Sequence, residues 1–343
     1  MVRNCFSIIQ ELNYEDFSKK GTTKSLDIFQ TEYIFMFQKI YSIFQSNSLQ
    51  SRLLQTLILL AILFLTINVY NQYSTKKREG FQQSDRYILK ENGDIYDEFY
   101  VQIYDELMLT QSRAEYEVFK IIEMTQPSKD YSTFLDIGSG TGQLVNTLSK
   151  TGYSAYGIDK SKAMVGFSQT KFPDISVKCG DVKDPITFDR GTFTHILCTG
   201  MTIYEFEQKW MLFQNCYFWL QQNGYLVVHL VDKDKFNTII PVGKPDVIDN
   251  PQKYSENRIT DTIVDFIDFK YKSSYELTGS QVLHKETFTD VKTQNIRENE
   301  KTLHMESIKD ILLLATKYGF LVKGKIEMKD TEGEYLYIFE RMM

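Results

Sequence analysis

The spacing of hydrophobic positions changes several times along this chain. From Ile95 onward it switches between the 3.6-residue period of a helix and the two-residue period of a strand. "IYDEFYVQIYDELM" and "AEYEVFKIIEMT" predict helices. "TFLDI" predicts a strand, "TGQLVNTLSKTG" a helix closed by Gly152, "SAYGID" a strand, and "SKAMVGFSQTKF" a helix stopped at Pro173. "DISVKCGD" and "FTHILCTG" predict two more strands, "EFEQKWMLFQNCYFWLQQNG" a long helix ending at Gly224, and "YLVVHLV" a fifth strand. Such alternation specifies a parallel sheet with helices on both faces. After Val231 it stops. "DTIVDFIDFKYKSSYEL", "SQVLHKETFTDV" and "KTLHM" read as an antiparallel sheet, followed by a helix in "ESIKDILLLATKYGF" and closing strands in "LVKGKIEMK" and "GEYLYIFER".

Upstream the pattern differs. Within residues 1–52, Leu26, Phe29, Tyr33, Phe37, Ile40 and Phe44 step by three or four, an aromatic-rich amphipathic stripe suited to a membrane interface or to packing on a partner or on the main domain. Residues 53–70, Leu53 to Tyr70, form an apolar run near the length of a membrane-crossing helix, diluted by Gln55, Thr56, Thr66 and Asn68. A transmembrane helix is expected there, a buried helix being the alternative. The polar residues 71–94 read as a linker. Lys76, Lys77 and Arg78 follow the run whereas Arg52 precedes it, so the positive-inside bias predicts a single-pass membrane protein whose C-terminal region, residues 95–343, faces the cytosol.

Charge and cysteine content narrow the chemistry. Acidic residues outnumber basic ones, 45 to 39, so no nucleic-acid partner is expected. Cys5, Cys179, Cys198 and Cys216 form no C-x-x-C pair, and His195, His229, His284 and His304 show no ligand spacing, so no metal site is expected.

The densest chemical signal is "FLDIGSGTGQLV". Asp136 ends a strand, and Gly138, Gly140 and Gly142 turn the chain into a helix whose N-terminus can meet a polar ligand. A dinucleotide fingerprint would place glycine where Gln143 stands. Asp159, ending the next strand in "GIDKSKAM", can accept both hydroxyls of a ribose. Asp181, in "CGDV", can accept from an adenine amino group. An acid at Asp136 would repel a pyrophosphate but suits a sulfonium or ammonium.

On these segments the chain resembles the class I S-adenosylmethionine-dependent methyltransferases, over about Ile95 to Glu340. "LDIGSGTG" is similar to the family's acid-x-G-x-G-x-G loop, "GIDKSKAM" to its ribose segment, "CGDV" to its adenine-side segment, and "LQQNGYLVVHL" to its turn into strand five. The resemblance implies a Rossmann-like seven-stranded α/β sheet with an antiparallel last strand, "GEYLYIFER". It also implies an antiparallel β lid, about residues 232–304, like those of small-molecule N- and O-methyltransferases. S-adenosyl-L-methionine is the implied cofactor, held by Asp136, Gly138, Ser139, Gly140, Gly142, Asp159, Lys160, Met164, Asp181, Val182 and Thr199. The chain departs from many relatives at Thr194, where an acid often opens strand four. It also has "CTGMTIYEF" where DNA-adenine and glutamine methylating relatives carry Asn-Pro-Pro-Tyr.

Methyl transfer from a sulfonium needs position and desolvation, and a general base only for acceptors less nucleophilic than a neutral amine. Tyr204 and Glu205, just past strand four, are the expected acceptor-side catalytic residues, with Glu205 as a base or else a helix cap. His304, before the last helix, is a third candidate, and His284 is expected on the lid surface. Tyr96, Phe99, Tyr100 and Tyr104 suit either an aromatic cover over the cofactor or a plain amphipathic helix. The expected function is a membrane-anchored methyltransferase acting on a small-molecule or lipid acceptor; the alternative is a catalytically inactive binding module of the same fold.

Overall fold

The computed structural model describes residues 48–76, 85–244, 251–328 and 332–342. It divides at residue 79 into two units. The aromatic-rich stripe expected from Leu26 to Phe44 lies outside the described residues, as does the middle of the linker.

The described residues of the first unit form one helix, α1 (Leu49–Lys76), which contains the apolar run and continues six residues beyond it. Among the described residues no helix is long and apolar enough to cross a membrane. A transmembrane helix over Leu53–Tyr70 is therefore not shown.

The second unit holds two sheets. The larger has seven strands: β2 (Thr133–Ile137), β3 (Ser154–Asp159), β4 (Ser176–Cys179), β5 (Phe193–Cys198), β6 (Leu220–Val231), β11 (Phe320–Glu327) and β12 (Glu334–Arg341). Their order is β11-β12-β6-β5-β2-β3-β4. Strands β2 to β6 pair in parallel, whereas β12 runs antiparallel to β6 and to β11. This is the Rossmann-like methyltransferase sheet expected, with "EYLYIFER" as the antiparallel strand.

The two-residue period of the central strands separates two cores. Leu135, Ile137, Ile196, Cys198, Leu226 and Val228 point to one face, where Leu212, Phe213 and Trp219 of α6 (Lys209–Trp219) and Ile311 and Ala315 of α7 (Ile308–Lys317) cover them. Phe134, Leu197 and Val227 point to the other, beneath Ala114, Val118 and Ile121 of α3 (Thr110–Thr125) and Leu144 and Leu148 of α4 (Gln143–Lys150). Burial on both faces explains why these strands read as nearly continuous apolar runs.

Helix α6 ends at Trp219, five residues before the expected stop at Gly224. Leu220 instead pairs with Phe193, and the register then shifts so that His195 meets Tyr225. Asn223, with φ 61°, makes the left-handed turn that a continuing helix would forbid.

The smaller sheet is the lid: β1 (Tyr87–Glu91), β7 (Asp261–Asp265), β8 (Phe269–Thr278), β9 (Gln281–Asp290) and β10 (Ile296–His304), in the order β1-β10-β9-β8-β7. Strand β1 was expected to be linker. Its five residues pair in parallel with β10, a long-range partnership that local pattern does not encode. Helix α2 (Glu98–Met108) packs Tyr100, Val101 and Leu107 against Tyr271 and Phe288 of the lid and Met164 of α5 (Lys162–Lys171).

Candidate active site

A cleft of about 1750 Å³ lies between the carboxyl ends of the parallel strands and the lid. This is where an open α/β sheet places its ligand.

At one end the glycine loop leaves β2. Gly138, Gly140 and Gly142 all have positive φ, 67°, 51° and 79°. The N–H groups of Gly138 and Ser139 both donate to the Ile158 carbonyl, at 2.9 and 3.1 Å, which folds the loop over β3. Asp159 then ties the loop from the side: Oδ2 accepts from Gly140 N at 2.8 Å and Oδ1 from Ser161 N at 2.8 Å. Burial raises the Asp159 carboxyl pKa while those backbone donors lower it, leaving it raised. The remaining acceptor capacity of that carboxylate is what a ribose diol would use. Lys160 and Asp181 form an ion pair at 3.4 Å on the same rim, beside Val182 and the buried Met164, and all four line the cleft.

Four of the expected cofactor residues do not line the main cleft. Gly142 turns toward α5: a Cβ there would lie 2.6 Å from Ile175 Cδ1 and 3.0 Å from Ser168 Cβ, so the glycine serves helix packing. Ser139 is buried, and its side chain occupies the space above Gly157. Thr199, also buried, lines a small cavity of about 40 Å³ behind the loop with Asp136 and Arg113. Asp136 was expected as an anion facing a positive ligand. Burial pushes its carboxyl well above the usual range, Glu117 adds to that, and Arg113 opposes it. Burial thus works against the charge expected at this position.

At the other end three chain segments meet. The Tyr96 hydroxyl donates to Glu205 Oε1, and Lys301 of β10 approaches Tyr96 Oη at 2.9 Å and Glu205 Oε1 at 3.3 Å. Burial opposes the Lys301 charge, but Glu205, Tyr100 and Glu286 outweigh it and hold the ammonium. Burial and then Glu205 raise the Tyr96 phenol well above its ordinary value, so it stays a donor. Glu205 sits on a 3-10 turn, Thr202–Glu205, and makes no cap to α6, whose N-cap Gln208 has no side-chain hydrogen bond.

Tyr204 is not an acceptor-side residue. It is fully buried; its hydroxyl donates to Val231 O at 3.3 Å and accepts from Val231 N at 2.9 Å, pinning the end of β6. His304 does reach the cleft wall. His284, expected on the lid surface, is buried instead, stacked on Tyr275 at 4.2 Å and 2.9 Å from Ser273 Oγ, with burial lowering its pKa to about 4. Of the four aromatic cover candidates, Tyr96 and Tyr104 line the cleft, whereas Phe99 and Tyr100 pack on Phe288 inside the lid.

Lys301 and Arg113 went unnoticed in the sequence. Lys301 lies on an alternating strand, and Arg113 with Glu117 forms an i,i+4 pair that reads as a solvated helix face. Only the fold turns both inward. Among the described residues no cluster of His, Cys, Asp and Glu could hold a metal ion.

The parallel sheet, the glycine loop and the acid at the end of the second strand, Asp159, are the features that the sequence resemblance implied. Residues 135–228 match the family model described as a methyltransferase domain. A curated protein, a putative methyltransferase, YqeM, of Bacillus subtilis, is 40% identical over 78 residues, spanning 22% of this chain and 29% of that protein. A methyltransferase from Clostridium acetobutylicum, described as S-adenosylmethionine-dependent, superposes with a TM-score of 0.55 at 15% identity, covering 71% of this chain and 98% of that one. The CcbJ methyltransferase of Streptomyces caelestis gives 0.53 at 13% identity, covering 72% and 98%. At such identities the solved structures establish the shared fold.

Proposed function

We propose that the chain transfers a methyl group from S-adenosyl-L-methionine to a nitrogen or oxygen of a small-molecule acceptor. One observation carries this reading. A single cleft has a nucleoside-type site at one end, Asp159 with the glycine loop, and a fixed polar cluster, Tyr96–Glu205–Lys301, at the other. The cofactor supplies an already activated methyl group, so the chain must bind, orient and exclude water. The described contacts of Glu205 end on Oε1, which leaves Oε2 to orient an acceptor hydrogen or take its proton.

The test is transfer of label from methyl-labelled S-adenosylmethionine to a mixture of small amines and alcohols by the full chain. Glu205→Gln should lower transfer by about 10²-fold while leaving S-adenosylhomocysteine affinity unchanged. Tight binding of that ligand with no transfer to any amine, alcohol or lipid would favour the inactive binding module instead.

Membrane attachment through Leu53–Tyr70, with the catalytic unit in the cytosol, belongs to the same proposal. Its support is that Leu57, Leu59, Leu60, Ile62, Leu63 and Phe64 are all exposed in α1, so apolar side chains lie on every face of the helix. Release of the full chain from membranes by carbonate would refute it.

A further inference from the structure

Three chain segments converge where β6 ends. The Asp232 N–H donates to the Gly333 carbonyl at 2.7 Å, tying the chain after β6 to the start of β12. Gly333, at φ 76°, packs so closely that a Cβ there would lie 2.7 Å from Lys235 Cβ. His229 of β6, Asn237 of the following loop and Glu334 of β12 all line the cleft. The charges of Glu334 and Lys301 both act on the Tyr275 phenol of β8, which puts Glu334 at the acceptor end.

All three side chains have unused polar capacity. His229 is buried, and its Nδ1 accepts the Met201 N–H at 3.2 Å, which places the ring proton on Nε2 and leaves the ring neutral. Nε2 lies 3.4 Å from Glu334 Oε2, yet it has no hydrogen-bond partner. Asn237 commits its Oδ1 to the Ile239 N–H at 3.0 Å, and its buried Nδ2 has no partner either. Buried donors left unpaired are costly, and two of them at one cleft call for a ligand oxygen.

Charge balance separates Glu334 from Glu205. The Lys301 ammonium matches Glu205 at 3.3 Å. Among the described residues the one ion-pair contact of Glu334 is with His229, whose neutral ring supplies no charge. Arg113 feels the Glu334 charge but is joined to Glu117 at 3.3 Å. The Glu334 side chain is only 13% exposed, so water screens it weakly. The three groups thus offer one anion and two neutral donors. Their complement is a molecule with an ammonium group and a neutral oxygen.

We infer that His229, Asn237 and Glu334 form a recognition site for the methyl acceptor, and that this acceptor is an amino alcohol, held as its cation by Glu334 and through its hydroxyl by His229 and Asn237. This rests on the methyltransferase reading and narrows it from any amine or alcohol to molecules that carry both groups.

The experiment measures label transfer from methyl-labelled S-adenosylmethionine by the full chain to three mixtures: short amino alcohols, alkylamines of the same length, and diols of the same length. The initial rate with amino alcohols should exceed either of the others by about tenfold or more. For the best amino alcohol, Glu334→Gln should raise KM roughly 10- to 100-fold, with kcat within about threefold and the KM for S-adenosylmethionine unchanged. Glu334→Asp should recover part of that loss, which a merely structural role would not give. No preference for amino alcohols, or an unchanged KM in Glu334→Gln, would overturn the inference. So would the absence of transfer to all three mixtures by a chain that binds S-adenosylhomocysteine. Failure to bind that ligand would instead overturn the methyltransferase reading itself.

Discussion

Asp159→Asn is the sharpest test of the nucleoside end, because the substitution keeps volume and removes only charge and one acceptor. In the wild type the two carboxylate oxygens take N–H donors from Gly140 and Ser161, each at 2.8 Å. An asparagine has one acceptor oxygen and one amide donor group, so one backbone N–H must face another donor. An unsatisfied donor in a buried site costs about 1–3 kcal/mol. Against this, Asp159 is raised by burial, so its wild-type charge is itself costly and part of that penalty is returned on neutralisation. The net loss in folding stability should then be at the lower end, roughly 1 kcal/mol. Cofactor affinity is expected to fall further, since the ribose meets a weaker acceptor and a loop no longer clamped at Gly140. A loss of about 1.5–3 kcal/mol, roughly 10- to 150-fold in Kd, is expected. Urea unfolding reads the first quantity and calorimetry with S-adenosylhomocysteine the second. Undiminished affinity in a folded variant would refute the assignment of Asp159 to the ligand.

Three other outcomes follow from geometry already described. Tyr204→Phe removes both hydrogen bonds to Val231 and should cost about 1–3 kcal/mol in urea unfolding with cofactor affinity unchanged, the opposite of a catalytic tyrosine. Gly142→Ala places a Cβ against Ile175 at φ 79° and should lower the melting temperature while sparing Kd in the surviving folded protein; an unchanged melting temperature would contradict the packing role. Buried His195 and His284 both have pKa lowered by burial to about 4 from 6.5. The unfolded chain therefore protonates them first, and the stability they confer is complete above pH 6.5 and lost as pH falls toward about 4, with a slope near 1.4 kcal/mol per pH unit for each histidine. Urea titrations of the wild type and of His195→Asn across that window should show the slope reduced by one histidine; an unchanged slope would contradict it.

Much of this protein was legible before folding because its signals are local. The alternation of strands and helices from Thr133 to Val231 follows from period and breakers, and Asp136, the glycines and Asp159 fall on the turns where a parallel sheet binds its ligand. Tertiary structure decided the rest by bringing distant segments together. Tyr87–Glu91 is a strand only because β10 supplies its ladder, and Leu220 left the helix for Phe193. Tyr204 and Glu205 are neighbours in sequence, yet the turn sends one under β6 and the other into the cleft. Lys301 meets Glu205 across 96 residues, and Arg113 faces the cavity behind the glycine loop because buried Glu117 holds one edge of its guanidinium. Periodicity reports which face of an element is buried. Which charged side chain on that element meets a ligand depends on where the opposing segment arrives, and that is set by packing over the whole chain.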